Sequence, residues 1–259
     1  MSPFLKAVFD STLTLPPLPS FDLTFPHLAD NLACDEAILV QAEEAGGPPA
    51  LRFWELDRPA VVLGASCRLR ENVRVEACRA DGVPIGRRSS GGGTVVIGPG
   101  ALNVTVVLPI DSEPVAFRSV DTAQRFVLER VAEALRVEVP EVLMLGSGDL
   151  TLGGRKFSGS AQRRLRRHLM VHASILYDFD LDLIDRYTTI PPRQPSYRDN
   201  RPHSDFVVNL PMGRDQIVRA VGSVWNLNPG PDSDYGVPFD LVEDLSRRKF
   251  KDFGWIERL

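Results

Sequence analysis

Two short stretches of this sequence combine glycines with cationic and hydroxyl side chains, the residue types that bind anionic groups. The first is Arg87-Arg88-Ser89-Ser90-Gly91-Gly92-Gly93-Thr94. Consecutive glycines let the backbone approach a ligand closely, and their N–H groups can form an anion-binding nest. Arg88 and Ser90 add donors suited to a carboxylate or a phosphate. The spacing is not that of a P-loop or a dinucleotide fingerprint, so the pattern also fits a glycine-rich hairpin with surface arginines.

The second stretch, residues 146–162, centres on Lys156, which lies between a glycine turn and a strand of small residues. Gly154, Gly159 and Ala161 flank the lysine, so its side chain is expected to point into a space without bulky neighbours. A ligand can fill that space, and the ammonium can meet negative charge on the ligand. The alternative is a hairpin with an exposed lysine, which is where most lysines lie.

Composition and charge limit the classes of protein to which the chain can belong. It has 259 residues, 43% hydrophobic and 25% charged, which is ordinary for a soluble globular protein, and a net charge of −4. That charge argues against nucleic-acid binding. The cysteines Cys34, Cys67 and Cys78 form no CxxC pair, which fits a reducing compartment. No apolar run is long enough to span a membrane, and the N-terminus lacks signal-peptide features, so we expect a cytoplasmic protein.

Periodicity predicts the elements that must position these two stretches. Strands are predicted over 51–56, 60–64, 83–87, 93–97, 102–108, 149–152, 156–160 and 169–176, with a short strand near 21–25. Helices are predicted over 31–44, 73–80, 115–137, 181–187, 214–225 and 239–250, and a loop over 191–205. Because strands and helices do not alternate strictly, we expect an α/β (α+β) fold with a mixed, mostly antiparallel sheet flanked by helices.

Two predictions concern single helices. Asn31 is expected to cap the first helix. In the helix over 115–137, one face is expected to be buried, and it consists of Val120, Ala123, Val127, Val131, Ala134 and Leu135. The whole chain is expected to form a single domain, with a catalytic core over 28–210 and a helical extension over 211–259.

The two stretches together resemble lipoate–protein ligases and their octanoyltransferase relatives, within the superfamily that also contains the biotin protein ligases. Those enzymes carry an RRxSGGGxV stretch, a Leu-Asn strand after a turn and a GxKxSGSAQ stretch. The corresponding residues here are Arg87–Val95, Gly100–Asn103 and Gly154–Gln162, and flanking segments agree in order: Asn31–Ala37, Leu51–Trp54, Val61–Gly64 and Val171–Leu176. The resemblance extends from about residue 31 to residue 210.

The resemblance implies an acyl-activation site. Lys156 would lie at the acyl carbonyl and the α-phosphate of ATP, whereas Arg88, Ser90 and the amides of Gly91, Gly92 and Gly93 would hold the phosphate side. Asp149 would lie near the nucleotide or a Mg²⁺ ion, and His172 would line the acyl pocket. The remaining implied binding residues are Thr94, Asn103, Gly159, Ser160 and Ala161. His172 could equally be a core histidine, and Asp149 a turn residue.

Three functions remain open at this point. The family's ligases activate lipoate or octanoate with ATP, whereas its transferases use a cysteine thioester. Neither cysteine position of the transferases is occupied here, and only Cys67 could face the pocket, so we expect the ATP-dependent ligase. The alternatives are an ATP-independent octanoyl- or lipoyl-transferase and a catalytically idle acyl-binding scaffold. The chain departs from the family at Val96-Ile97-Gly98, where an aromatic-His-Asp run is common.

The expected partners are apo lipoyl domains or the H-type proteins of glycine cleavage. The basic run Arg163-Arg164-Leu165-Arg166-Arg167-His168 could meet their acidic surface, or it could be a solvated hairpin tip. A second basic loop with Arg193, Arg198 and Arg201 could fold over the site on substrate binding. Only 49 residues follow Leu210, fewer than the accessory domain of many ligases. Three explanations stay open: a separate accessory subunit is a further partner, the enzyme works without that domain, or the chain only transfers a preformed acyl adenylate.

Overall fold

Two β-sheets form the framework of the protein in its computed structural model, which describes residues 18–47, 49–111, 117, 119–191, 194–225, 227–228 and 236–259. The strands are β1 (Leu18–Asp22), β2 (Ala50–Trp54), β3 (Ala60–Leu63), β4 (Ile85–Arg87), β5 (Val95–Ile97), β6 (Ala101–Pro109), β7 (Leu143–Leu145), β8 (Asp149–Leu152), β9 (Arg155–Arg164), β10 (His168–Leu176) and β11 (Leu227–Asn228).

The larger sheet has the strand order β11-β1-β2-β6-β10-β9-β8-β7, and the smaller sheet has the order β4-β3-β5. Neighbouring strands are antiparallel except in the pairs β1–β11, β1–β2 and β3–β4, which are parallel. The predicted fold class, a mixed and mostly antiparallel sheet flanked by helices, is therefore confirmed.

Helices cover both faces of the larger sheet. They are α1 (Leu28–Ala45), α2 (Leu69–Asn72), α3 (Val75–Ala80), α4 (Val120–Arg136), α5 (Asp182–Tyr187), α6 (His203–Phe206), α7 (Arg214–Ser223), α8 (Phe239–Leu245) and α9 (Phe253–Ile256). A π-helical turn, Ser246–Phe250, continues α8, and a 3₁₀ turn lies at Ser196–Arg198. Within the described residues, none of these helices has the length and apolar character that crossing a membrane requires.

The central strands β6 and β10 separate two hydrophobic cores, because successive side chains of a strand point to opposite faces. Leu102, Val104, Val106 and Leu108 of β6 pack with α4 and α7 on one side. The alternate positions on β6 and β10 face α1 and the smaller sheet, and they include the polar residues Asn103 and His172. The register pairs His172 with Thr105 and Ser174 with Asn103. Polar groups of both strands are thereby concentrated on one face of the sheet.

The structure corrects the prediction that Asn31 caps the first helix. That helix begins three residues earlier, with His27 at the cap position. The Asn31 side chain is buried, and its amide group donates to the carbonyl oxygens of Phe25 and His27. Its Oδ1 atom accepts from Phe25 N and from Arg52. Asn31 lies within α1, and its side chain holds the segment that precedes the helix. The preference of asparagine for the N-cap position does not predict this arrangement.

The predicted buried face of α4 is confirmed except at Val120, which is 52% exposed. The helix was predicted from residue 115, but it begins at Val120 because the Ser119 side chain accepts from the backbone N–H of Thr122. Val120 therefore lies in the exposed first turn. Phe126, Leu128 and Ala132 are buried as well, so the apolar face is wider than predicted.

Other predicted boundaries shift by a few residues. The helix over 73–80 is α3 at Val75–Ala80, which the unpredicted short helix α2 at Leu69–Asn72 precedes, and the strand near 21–25 is β1 at Leu18–Asp22. The segment over 191–205 is a loop that contains the 3₁₀ turn and the start of α6, with residues 192 and 193 outside the described part. The sequence did not predict β7, β11 or α9. The division into core and extension stays a prediction.

Candidate active site

A cavity of about 280 Å³ lies between the larger sheet, the smaller sheet and the loop that follows α5. Apolar side chains supply much of its wall, among them Leu32, Trp54, Val62, Ile97, Leu176 and Phe206. Polar groups are concentrated on β9, β10 and the segment after β4. An apolar cavity with a few convergent polar groups is the usual form of a small-molecule site.

Lys156 lines this cavity at the start of β9. Its Nζ atom lies 2.7 Å from Asp149 Oδ1, and the lysine side chain is 30% exposed. The hydroxyl of Tyr197 donates to Asp149 Oδ2 at 2.6 Å, so both carboxylate oxygens have partners. Burial and the negative charge of Asp149 raise the pKa of Tyr197, which keeps its hydroxyl protonated as the donor. The ion pair holds the Lys156 ammonium in place.

Gly159 provides the space that this lysine needs. A Cβ atom at position 159 would lie 2.7 Å from Lys156 Nζ and 2.8 Å from Lys156 Cε. Such distances are shorter than van der Waals contact, so a larger residue would displace the ammonium. The Lys156 side chain therefore lies against a residue without a side chain, and position 159 must be small for the ammonium to stay where it is.

The glycine-rich segment between β4 and β5 forms a loop, and hydrogen bonds from the Arg88 side chain hold this loop in place. The Arg88 guanidinium donates to the carbonyl oxygens of Gly91, Gly93 and Val62. Burial lowers the pKa of Arg88 to about 10, so the group remains a cation at neutral pH. Arg88 reaches the cavity wall, but its N–H groups donate to carbonyl oxygens of the loop and of β3. It therefore shapes the predicted anion nest, and the amides of the loop are the groups left to contact a ligand.

Arg87 fixes the other side of the same loop. Its side chain is fully buried and donates to the carbonyl oxygens of Ile256, Gly64 and Cys67. The Trp255 indole N–H donates in turn to the Arg87 carbonyl oxygen at 2.8 Å. The C-terminal segment thus reaches the back of the glycine-rich loop, a contact that the sequence did not predict.

His172 lies on β10 and connects two distant segments. Its Nε2 atom is 2.6 Å from Ser90 Oγ, and its Nδ1 atom is 3.8 Å from Asp35 Oδ2. Asp35 lies on α1 and forms an ion pair with Arg52, at 2.6 Å between Oδ1 and Nη1. Its Oδ2 atom also accepts from the Trp54 indole N–H at 3.2 Å. His172 therefore contacts a serine on one side and a buried carboxylate on the other, unlike the isolated core histidine that was its alternative interpretation.

The remaining predicted residues have supporting contacts. Asn103 accepts from Ser174 Oγ and donates to Trp54 O, which ties β2, β6 and β10 together. Ser160 Oγ donates to Gly148 O and accepts from Gln124. The Oγ1 atom of Thr94 is buried without a partner among the described residues. Asn103 and Ser160 thus hold the wall of the cavity, and Thr94 leaves a hydroxyl available to a ligand.

The structure brings the predicted site residues together around one cavity. Those on its wall are Arg88, Gly93, Thr94, Asn103, Lys156, Gly159, Ser160, Ala161 and His172. Ser90 does not line the cavity but contacts His172, which does, and Asp149 likewise contacts Lys156. Gly91 and Gly92 belong to the glycine-rich loop that also contains Gly93. This placement leaves the individual roles of these residues as predictions.

Two residues at the site, Asp35 and Tyr197, were missed from sequence. Asp35 follows Asn31 by four residues, which places two polar groups on one side of α1, and this spacing was the available signal. Tyr197 had no local signal. Arg198, predicted to lie on a basic loop that could fold over the site, lines the cavity and is buried. Its guanidinium lies 4.7 Å from the Phe206 ring centre, and Nη2 has no partner among the described residues. Whether the loop closes on substrate binding stays a prediction. Arg193 lies outside the described residues.

Asp149 does not fit a metal ligand in this arrangement, since Lys156 and Tyr197 occupy its two oxygens. No group of three or more potential metal-binding side chains occurs within the described part of the chain. The magnesium role of Asp149 stays a prediction.

None of the three cysteines, all at described positions, lies on the cavity wall. Cys34 and Cys78 are buried in α1 and α3, and burial raises the pKa of Cys34 to about 12. Cys67 is half-buried, with its Sγ atom 3.4 Å from Gly92 O, so it lies against the outer part of the glycine-rich loop.

Comparison with known proteins identifies the family. The family described as the lipoyl protein ligase A/B catalytic domain matches residues 27–214. The chain is 26% identical to lipoate-protein ligase A subunit 1 of Thermoplasma acidophilum, over 87% of this chain and 90% of that protein. It is 29% identical to octanoyltransferase LipM of Symbiobacterium thermophilum, over 65% of this chain and 68% of that protein. The chain is 32% identical to a protein of Aeropyrum pernix that is named as a lipoate-protein ligase A, and it covers 57% of that protein.

Solved structures show the same fold. A bipartite lipoate protein ligase from Thermoplasma acidophilum, determined with its E2 lipoyl domain, matches with a TM-score of 0.78 at 22% identity, over 93% of this chain and 96% of that one. A lipoate-protein ligase A bound with ATP matches with a TM-score of 0.77 at 24% identity, over 94% of this chain and all of that one. With the match over residues 27–214, the chain belongs to the lipoyl protein ligase A/B catalytic domain family, whose members here are named as lipoate–protein ligases and octanoyltransferases.

Proposed function

We propose that this protein is a lipoate–protein ligase that activates lipoate or octanoate with ATP and transfers the acyl group to a lysine of a lipoyl-domain protein. The observation that carries the proposal is the position of Lys156, whose ammonium lies on the wall of an apolar cavity that also contains the glycine-rich loop. An acyl chain fits the apolar part of such a cavity. Its carboxylate would then lie near fixed cations and backbone N–H donors.

The chemistry requires those groups. A carboxylate does not acylate an amine at neutral pH until one of its oxygens becomes a leaving group, and attack on the α-phosphate of ATP achieves this. Both steps develop negative charge on phosphoryl or carbonyl oxygens, which preorganised cations and N–H groups stabilise. Lys156 would exchange its contact with Asp149 for that charge. The amides of the glycine-rich loop and the unpartnered Nη2 of Arg198 would complete the anion site.

Activation by ATP is favoured over a thioester route because a covalent route needs a thiolate near the acyl carbonyl. Cys34 and Cys78 are buried away from the cavity, and Cys67 faces the outer part of the loop. A solved structure of a related ligase is described as bound with ATP. The transferase remains the second candidate, since several relatives are named as octanoyltransferases and Cys67 contacts the glycine-rich loop.

The proposed protein substrates are lipoyl domains and H-type proteins of glycine cleavage, and the proposed additional partner is an accessory subunit. Support comes from the related Thermoplasma acidophilum ligase, which is described as bipartite and was determined with its E2 lipoyl domain, and from the relative named as subunit 1. The additional substrates are ATP and lipoate.

The test is to replace Lys156 by alanine and to follow the mass of an apo lipoyl domain. With lipoate and ATP we expect a lipoyl mass increase for the wild type, and a rate lower by about 100- to 1000-fold for Lys156→Ala, because one fixed charge at a developing oxyanion contributes that much. Arg155→Ala is the matched control, since Arg155 is an exposed neighbour on the same strand. Circular dichroism should show the same fold for all three proteins.

Three results separate the candidates. Modification only with an octanoylated carrier protein, and not with ATP, would replace the ligase by the transferase. Acyl binding without modification under either condition, with and without an accessory subunit, would support a scaffold. Unchanged turnover of Lys156→Ala would refute the role given to this lysine.

A further inference from the structure

A histidine and a carboxylate form a pair between the cavity and the solvent, and the proposed ligase function assigns neither of them a role. His203, the first residue of α6, lines the cavity, and its Nδ1 atom lies 2.5 Å from Oδ1 of Asp185 in α5. The His203 side chain is 9% exposed, whereas that of Asp185 is 53% exposed. The pair therefore extends from the cavity wall to the surface of the protein.

The contact with Asp185 determines which ring nitrogen of His203 carries the proton. A carboxylate only accepts hydrogen bonds, so Nδ1 is the donor and, in the neutral ring, Nε2 keeps a free lone pair. Nε2 has no hydrogen-bond partner among the described residues, and it is not one of the fully buried polar atoms that lack a partner there. Because His203 lines the cavity, this nitrogen is accessible to a ligand as a proton acceptor.

The turn that carries His203 is attached to the backbone of Lys156. Val208 N donates to Lys156 O at 3.0 Å, and Val207 forms a β-bridge with Lys156. Val207 N donates in turn to His203 O at 2.9 Å, at the end of α6. A group bound at the Lys156 ammonium therefore lies in the same cavity as the His203 imidazole, and the two elements that carry these side chains are held together directly.

Acyl transfer to an amine needs a group that takes up a proton. Once the amine nitrogen has bonded to the acyl carbonyl carbon, it carries one proton more than the amide product, and a positioned imidazole is the side chain that most often accepts such a proton. The acceptor lysine belongs to another protein, so it reaches the cavity from the solvent. His203 lies where the cavity wall meets the surface through Asp185, which suits it to that amine.

We propose that His203 is the general base of acyl transfer and that Asp185 is a positioning residue that acts through it. The proposal rests on the proposed ligase function. The neutral amine of the acceptor lysine attacks the acyl carbonyl carbon and the N–C bond forms. The bond between that carbon and the phosphate oxygen of the acyl adenylate breaks, with AMP keeping the electron pair. The amine nitrogen gives its extra proton to His203 Nε2.

The carboxylate of Asp185 stabilises the resulting imidazolium and holds the ring in one orientation. Because Asp185 is half-exposed, water at this side of the pair can take the proton away after the step. Formation of the acyl adenylate releases no such proton, since the carboxylate of the acid attacks as an anion. His203 should therefore matter for transfer and not for activation, whereas a residue that only shaped the cavity would affect both.

The experiment follows transfer from preformed octanoyl-AMP to an apo lipoyl domain in a single turnover at neutral pH. His203→Gln keeps a donor for Asp185 but cannot take up a proton. We expect transfer to slow by about 100- to 10,000-fold, the usual contribution of a general base, while formation of octanoyl-AMP from octanoate and ATP changes by less than about threefold. His27→Gln, at an exposed histidine before α1, is the control.

Chemical rescue gives an independent measurement. Imidazole added to His203→Ala can enter the space left by the side chain, and it should restore part of the lost transfer rate, but it should restore none in Lys156→Ala. Asp185→Asn should slow transfer by a smaller factor than His203→Gln and leave activation unchanged, because the imidazolium loses its carboxylate. Asp185→Glu, which keeps the charge, should recover part of that loss.

Equal losses of activation and transfer in His203→Gln would overturn the proposal, because the residue would then only shape the cavity. A wild-type transfer rate in His203→Gln, or a His203→Ala variant that imidazole does not accelerate, would also overturn it, and both results leave the ligase function intact. If the wild type neither forms octanoyl-AMP nor transfers from it, the ligase function is wrong and the proposed base with it. Should His203→Ala fail to fold, His203→Gln and the two Asp185 variants decide the matter.

Discussion

At the scale of single residues, the site depends on contacts that leave little freedom. The Lys156 ammonium is fixed by Asp149, which is itself fixed by Tyr197, and Gly159 leaves the space that the ammonium occupies. We therefore expect that a positive charge at position 156 is not sufficient for the proposed function unless the ammonium is held at this place. The direction of the Lys156 side chain depends on Gly159, because a larger residue at position 159 would occupy the same space.

Gly159→Ala should expose this dependence. The added methyl group would lie 2.7 Å from Lys156 Nζ, so the ammonium must move by about an ångström, and misplacement of that size can lower activity about 100-fold. The measurement is the rate of lipoyl-domain modification with lipoate and ATP, with thermal unfolding as the check on stability. Gly236→Ala is the control, since no atom lies within 4 Å of its added methyl group. Similar rates for the two variants would show that Lys156 tolerates displacement.

At the scale of elements, the glycine-rich loop is held by segments that are far away in sequence. Arg88 ties it to β3, and Arg87 ties it to the C-terminal segment, 169 residues further along the chain. Trp255 completes this contact, and the Arg258 guanidinium lies 4.0 Å from the Trp255 ring centre. The end of the chain therefore supports the loop that carries the proposed anion site.

Trp255→Phe tests this support with little change in packing. The substitution keeps an aromatic ring but removes the N–H that donates to Arg87 O, so we expect a loss of about 1 kcal/mol in the free energy of unfolding. Hydrogen exchange should become faster in residues 90–93, and the KM for ATP should rise. Phe253→Ala, at a side chain that is 76% exposed, should change stability by less than about 0.5 kcal/mol. Unaltered exchange in the loop would contradict the proposed support.

At the scale of the whole molecule, the basic hairpin between β9 and β10 lies at the opposite end of β9 from Lys156. Arg164 is eight positions along the strand from Lys156, a distance of about 26 Å. Arg164 donates to Phe117 O, and Arg167 contacts Glu43, so both have partners within the protein. Arg163, Arg166 and Arg167 are the exposed members of the run, and Arg163 and Arg166, which form no ion pair within the described part of the chain, are the ones best placed to meet an acidic partner.

The double variant Arg163→Glu/Arg166→Glu should weaken recognition of the lipoyl domain. We expect kcat/KM for the lipoyl domain to fall by about tenfold at low salt and the difference to shrink at high salt, since exposed charges are screened. Formation of the acyl adenylate should not change. The control is Arg79→Glu/Arg247→Glu, which makes the same change in net charge at two side chains that are 74% and 80% exposed. An equal fall in the control would mean that net charge alone matters.

The sequence by itself determined the family, the fold class and part of the set of residues around the cavity. It could do so because the two glycine-containing stretches and the segments around them keep the residue order of the family. Only the tertiary structure decided what these residues contact. The Arg88 side chain donates to its own loop, His172 lies 3.8 Å from Asp35, and the Tyr197 hydroxyl donates to Asp149. The physical reason is distance along the chain. Ser90 and His172 are 82 residues apart, and strand register and side-chain packing, not local periodicity, place them within hydrogen-bond distance.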